Sequence, residues 1–259
     1  MTRMDLSCDV GEAADSVSAE GLGGAAIEER LYAHVTSVSI AGGGHAGDAS
    51  TMKAAVERAL RWNVSIGAHP SYPDRANFGR AEMDLPAEAI VDAVCEQVRA
   101  LAEVAAACGA RVAHVKPHGA LYNQAARDAK IAGAIALGVA RWRRDVVLVG
   151  LAGSLMLDVF RAEGFRVAAE AFADRRYEPD GSLRGRRFAD ALIGDPAEAA
   201  AQALRISRQG SAIASDGSEI TVEAETMCIH GDTPNAAEIA AAVAAALRGA
   251  GVELRALSA

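Results

Sequence analysis

The chain has 259 residues, 51% of them hydrophobic and 23% charged, with only 4% aromatic. That composition supports one sizeable core and excludes a disordered or fibrous chain. A formal charge of −8 argues against a nucleic-acid or anionic-membrane partner, and no window approaches the roughly 18 apolar residues of a membrane span.

Taken in order, short β-branched runs alternate with longer Ala/Leu-rich ones, the pattern of βα units around a parallel sheet. The expected strands are residues 4–8, 38–41, 64–68, 112–116, 146–151, 167–171 and 227–229. The expected helices are residues 50–62, 86–108, 125–141, 154–163, 196–208 and 234–248, with a shorter one over 27–34. Met52, Val56, Ala59 and Leu60 recur at helical spacing, and Pro86 and Pro196 mark helix starts. Residues 173–188 read as a long strand-end loop. Residues 211–225 alternate around Asp216-Gly217, a hairpin signal. No Gly-rich phosphate turn follows the first strand, which disfavours a doubly wound sheet. A single α/β domain over residues 1–259, closed as a TIM-like (β/α) barrel, is the expected fold.

Chemically capable residues fall where these strands end. Strand one runs into Asp9 and Glu12, strand two into His45, strand three into His69, strand four into Lys116 and His118. Strand six leads to Glu170, Asp174 and Arg175, and strand seven to His230 and Asp232. In a parallel barrel those ends open on one mouth, where catalytic residues collect. The Gly and Pro beside each polar residue supply sharp turns. Asp9, His45, His69 and His118 are the candidates for proton transfer. Glu12, Lys116, Asp174, Arg175, His230 and Asp232 are the candidates for holding an anionic substrate or phosphate. Asp9, His45 and His69 also make a possible divalent-metal trio, one carboxylate and two imidazoles with a position left open. His34 reads as structural, and His114 as either packed inside the barrel or supporting the mouth. Cys8 and Cys228 read as packing residues. Without CxxC spacing or an apolar leader, reduced thiols in the cytoplasm are the expectation.

The strand-end blocks Asp5-Leu6-Ser7-Cys8-Asp9-Val10-Gly11-Glu12, His45-Ala46-Gly47-Asp48 and Gly67-Ala68-His69-Pro70-Ser71-Tyr72 resemble the LamB/YcsF family of 5-oxoprolinase A subunits. So do Lys116-Pro117-His118-Gly119-Ala120-Leu121-Tyr122-Asn123, Glu170-Ala171-Phe172-Ala173-Asp174-Arg175 and Cys228-Ile229-His230-Gly231-Asp232. The resemblance implies a seven-stranded barrel similar to the glycoside hydrolase/deacetylase superfamily. It also implies ATP-dependent opening of the lactam 5-oxo-L-proline to L-glutamate, in company with subunits B and C. With no Walker motif, the nucleotide site is either shared with those partners or built at the strand ends here. Two further readings stand beside this one: a non-catalytic substrate-binding component, and a metal-dependent amide or sugar deacetylase needing no ATP. In either case a homo-oligomer is possible. The family usually carries Asn at position 7, Cys-Gly-Phe at 42–44, Gly at 77 and 235, and Arg at 81. The Gly42-Gly43-Gly44 run is therefore expected to empty the mouth wall beside His45.

Overall fold

Alternate side chains of a strand point to opposite faces, and in this chain the two faces differ in chemistry. Strand β1 (Arg3–Val10) turns Leu6, Cys8 and Val10 one way and Asp5, Ser7 and Asp9 the other. Strand β2 (Ser37–Ala41) turns Val38 and Ile40 one way and Ser37 and Ser39 the other. The computed structural model describes residues 2–12 and 24–257, and in it the apolar faces meet helices while the polar faces meet one another.

Helix α1 (Gly24–Tyr32) precedes β2, and α2 (Ala49–Trp62) leads to β3 (Ser65–His69). Helix α3 (Ala87–Ala107) leads to β4 (Val112–Val115), followed by α4 (Gly119–Ala125), α5 (Ala129–Ala140) and β5 (Val147–Leu151). Helix α6 (Leu155–Ala162) leads to β6 (Arg166–Phe172) and α7 (Pro196–Gln209). A small hairpin, β7 (Ser211–Ile213) with β8 (Glu219–Thr221), comes before β9 (Thr226–His230), α8 (Ala236–Gly249) and β10 (Glu253–Leu254). Strands β1 to β6 and β9 pair in that order, all parallel, and β9 pairs back onto β1. The result is a closed seven-stranded parallel barrel wrapped by helices, as expected. Strand β10 adds a short outer pairing at Arg3 and Met4.

Local chemistry sets the boundaries. Asp48 and Thr51 form a reciprocal capping box at the start of α2, and Asp195 caps α7 with Pro196 in its first turn. The helix expected over residues 125–141 is α5, and a separate short helix, α4, which was not expected, precedes it. Asp128 accepts from Lys130 N at 2.8 Å and starts α5 afresh, while α4 begins directly after His118. Among the described residues no helix is long and apolar enough to cross a membrane.

The apolar core is the shell between strands and helices, with Leu6, Ile40, Leu121, Leu148, Phe160 and Ile239 among its fully buried side chains. Inside the ring the floor is polar. Asp5 accepts from Ser37 Oγ at 2.8 Å, Thr226 Oγ1 at 2.7 Å and Thr36 Oγ1 at 2.7 Å. Above it His114 packs across the ring, 3.4 Å from Ser39 Oγ. Gly67 is what makes room for that imidazole, since a Cβ there would lie 2.1 Å from His114 Nε2. Gly67→Ala is therefore expected to cost about 1–3 kcal/mol through overpacking, read as a lowered urea midpoint. In a His114→Ala background the added loss should largely disappear. An unchanged midpoint for Gly67→Ala alone would contradict this packing.

Candidate active site

Ladder register brings the strand ends together: Asp9 lies opposite Ser39 on β2 and His230 on β9, and His69 opposite Ala41. At their centre stands Lys116, buried within the barrel. Its Nζ donates to Asp9 Oδ1 at 2.9 Å, Asp9 Oδ2 at 3.1 Å and Cys228 Sγ at 3.0 Å, and pairs with Glu170 Oε1 at 3.0 Å. Burial alone would neutralise this ammonium, but Asp9, Cys228 and Glu170 outweigh it and hold its pKa well above the usual lysine value. Burial likewise pushes Asp9 upward, but its interactions with His69 and Lys116 overcome it, so its carboxyl lies well below the usual range. Glu170 goes the other way, raised by burial despite Lys116 and a 2.8 Å bond from Tyr122 Oη. Lys116 is thus a fixed cation at the base of the mouth, with the firmly ionised Asp9 and the ion-paired Glu170 beside it.

Next to this group lie three histidines and Glu12. His69 Nδ1 donates to the Lys116 carbonyl at 2.8 Å, and His118 Nε2 donates to the Phe78 carbonyl at 3.0 Å. Phe78 presents that carbonyl from a left-handed backbone, φ 55°, a conformation bulky residues rarely hold without a purpose. Its ring lies edge-on to both His45 and His118. His45 stacks on His118 with centroids 3.6 Å apart and planes 3° apart, and its Nε2 is 2.8 Å from Glu12 Oε1. Desolvation lowers the His45 pKa to about 4 and raises that of Glu12 to about 7. Gly79 is required here, because a Cβ on it would meet His45 Cβ at 2.8 Å and His118 Cδ2 at 2.9 Å. The donor atoms of Glu12, His45, His69 and His118 all lie within 4.8 Å of one another, the composition of a metal-binding group. Asp9, of the expected trio, belongs instead to Lys116, although its Oδ2 is 3.4 Å from His69 Nε2.

On the far wall His230 stacks on Phe172. Its Nδ1 is 3.1 Å from both oxygens of Asp174, whose Oδ2 also accepts from the His230 amide and Thr233 Oγ1. Burial opposes ionisation of Asp174, but His230 and Thr233 lower its pKa overall. Asp174 therefore orients His230 rather than facing the mouth, leaving Nε2 to the cavity. Arg175, expected to bind an anion, directs Nη2 to the Arg184 carbonyl at 2.6 Å and Nε to the Ala191 carbonyl at 3.4 Å. Burial, with Arg186 nearby, lowers its pKa to about 10. It anchors the 173–188 loop while still lining the cavity. Asp232 likewise binds protein, pairing with both Arg80 and Arg186. These three residues tie the β3–α3, β6–α7 and β9–α8 loops together over the mouth.

The cavity at the mouth, about 280 Å³, is lined by Asp9, His69, Lys116, His118, Phe172 and His230, together with Arg80, Arg186 and Arg187. Glu170, Tyr122, Arg186 and Arg187 were not among the expected site residues. Glu170 ends a predicted strand and carried a signal; the arginines sit in loops whose course no local pattern sets. His114 lies inside the barrel and His34 in the turn after α1. Cys8 is in the core, whereas Cys228 both packs there and touches Lys116. The glycine run does not open the mouth. A Cβ on Gly42 would touch Gln97 Cβ at 3.0 Å, and one on Gly44 would meet Gln97 Oε1 at 2.4 Å and Ser71 Oγ at 2.5 Å. The buried Gln97 of α3 fills that space and bonds Ser71 through both its amide atoms.

Fold and site together define an α/β-barrel protein with a cationic, histidine-rich mouth of enzymatic type. The LamB/YcsF family model matches residues 4–259, and the chain belongs to that family. Over 255 residues it is 48% identical to the 5-oxoprolinase A subunit of Chloroflexus aggregans, covering 98% of this chain and 99% of that protein. To the corresponding 5-oxoprolinase A subunit of Bordetella pertussis it is 47% identical over 253 residues, 98% of each. The crystal structure of the lactam utilization protein from Thermus thermophilus superposes with a TM-score of 0.87 at 42% identity, covering 98% of this chain and 100% of that one. These relatives support a role in 5-oxoproline metabolism.

The loop tie has a testable acid limit. Burial raises the Asp232 pKa, but Arg186, His230 and Arg80 together pull it from 3.8 down to about 2. A carboxylate depressed in the folded state stabilises above its unfolded pKa and loses that contribution as pH falls through the folded one. Asp232→Asn should therefore lower the Tm at pH 7, and the gap from wild type should close between about pH 4 and 2. A constant gap down to pH 2 would show that the tie does not carry this charge coupling.

Proposed function

We propose that this chain is the A subunit of an ATP-dependent 5-oxoprolinase, opening the lactam of 5-oxo-L-proline to L-glutamate with ADP and phosphate as co-products. The observation that supports it most is the grouping of Asp9, Lys116, His118 and His230 around one small cavity, in a chain matched end to end by relatives of that name.

A five-membered lactam resists hydrolysis because its amide is resonance-stabilised. Transfer of the γ-phosphoryl group of ATP to the amide oxygen, with ADP leaving, makes the carbonyl carbon electrophilic. Water then adds to that carbon, the ring nitrogen leaves as an amine after accepting a proton, and a second water displaces phosphate. This route needs a fixed positive charge near the activated oxygen, a proton carrier and an anion site for the substrate carboxylate. Lys116 supplies the fixed charge, and its contacts with Asp9 and Glu170 keep it in place without rearrangement during turnover. His230, oriented by Asp174, carries the proton from the attacking water to the departing nitrogen. Arg80, Arg186 and Arg187 give the mouth the sign that attracts the carboxylate and phosphate groups. Subunits B and C complete the enzyme, so the isolated chain has little activity of its own.

The test is co-purification with partner subunits followed by an assay of phosphate release that depends on 5-oxoproline. The assembled complex should turn over and the isolated chain should not. His230→Gln in the complex should lower kcat by about 10²–10⁴ with little change in KM. Full turnover by the isolated chain would sink the partner requirement. An assembled complex whose ATP hydrolysis ignores 5-oxoproline would sink the reading altogether.

A further inference from the structure

His69 and His118 face each other through ring nitrogens that both lack hydrogens when the rings are neutral. Each has its other nitrogen donating to a backbone carbonyl, His69 Nδ1 to Lys116 and His118 Nε2 to Phe78. The remaining pair, His69 Nε2 and His118 Nδ1, then sets lone pair against lone pair at 2.9 Å. That contact is repulsive unless a positive centre sits beside it. A shared proton would satisfy those two nitrogens, but it would leave two neighbours unexplained. Glu12 Oε1 lies 3.4 Å from His118 Nδ1 and 3.7 Å from His69 Nε2, and it is also 2.8 Å from His45 Nε2. A proton on His118 would moreover press an imidazolium flat against the His45 ring.

We propose that Glu12 Oε1, His45 Nε2, His69 Nε2 and His118 Nδ1 bind one divalent transition-metal cation of the zinc class. Three imidazoles and one carboxylate suit such an ion and not magnesium or calcium, which prefer all-oxygen shells. Bonds of about 2.1 Å set tetrahedral edges near 3.4 Å, and the four donor atoms here, at most 4.8 Å apart, bracket that spacing. Tautomers fixed by carbonyl partners are what metal-ligating histidines normally have. His45 differs, since its Nδ1 has no hydrogen-bond partner among the described residues. Asp9, the carboxylate that strand order alone nominates, is withheld by Lys116, and Glu12 takes its place in the set. Binding of this ion is independent of the 5-oxoprolinase reading, and either can fail without the other.

The full-length chain, purified without chelator, should contain about one zinc-class ion by elemental analysis. Added Zn(II) should raise the Tm of chelator-treated protein where Mg(II) does not. Co(II) should bind in a 1:1 ratio with visible ligand-field absorption. Glu12→Gln and His118→Ala should weaken Co(II) binding by more than the about 10–100-fold typical of losing an outer partner. Asp9→Asn, checked for folding by circular dichroism, should still bind one ion. Folded wild-type protein that holds no ion, gains no stability from Zn(II) and gives no Co(II) spectrum would overturn the proposal. So would loss of the ion in Asp9→Asn with retention in Glu12→Gln, which would assign the site to the other carboxylate. Wild-type content and the Co(II) spectrum decide the matter even if a variant fails to fold.

Discussion

A lysine ammonium buried at the centre of a barrel is tolerable only if its charge is met on several sides. Lys116 meets that condition with groups from three other strands: Asp9 of β1, Glu170 of β6 and Cys228 of β9. Those strands must therefore end at matching heights, and the parallel registers of β1 with β9 and of β9 with β6 provide that. The same backbone serves the histidines, because the Lys116 carbonyl fixes the ring of His69. Removing the charge would leave two buried carboxyls and a thiol without their common partner, so the fold and the chemistry of the mouth share one dependence.

The mouth divides into two halves on either side of Lys116. One holds Glu12, His45, His69 and His118 under the Phe78–Gly79 turn; the other holds His230, Asp174 and Phe172 under the arginine-rich loop. Asp9 lies between them, within 3.4 Å of His69 Nε2 and in register with His230. Three clustered imidazoles on one side and the single imidazole of His230 on the other, in different electrostatic surroundings, let proton transfer and ligand binding be handled by different side chains.

Much of this was legible from residue order. Seven β-branched runs, six of them with polar residues at or just past their C-terminal ends, predicted the seven barrel strands, because strand period and strand-end position are local properties. Asp9, His69, Lys116, His118 and His230 do meet at one cavity for that reason. What could not be read was partnership. That Lys116 claims Asp9, that Asp174 serves His230, and that Arg175 and Asp232 bind loops all depend on contacts between segments far apart in the chain. The glycines at 42 and 44 looked like missing wall, yet Gln97, more than 50 residues later, occupies their space. Asn235, at a position where glycine is common in the family, keeps the left-handed backbone at φ 62°, which asparagine tolerates better than most residues.

The polar lining of the barrel has a consequence for how the molecule can change over time. Because Asp5, Ser7, Ser37, Ser39, His114 and Thr226 occupy inward positions, the ring's interior contributes little apolar burial, and the surrounding helical shell carries the hydrophobic stabilisation. Inward positions below the mouth are thus where well-packed apolar replacements can raise stability. Those nearest Lys116 would do so only by dismantling the charge network. The lumen records a standing compromise, with robustness held outside the ring and reactivity kept within it.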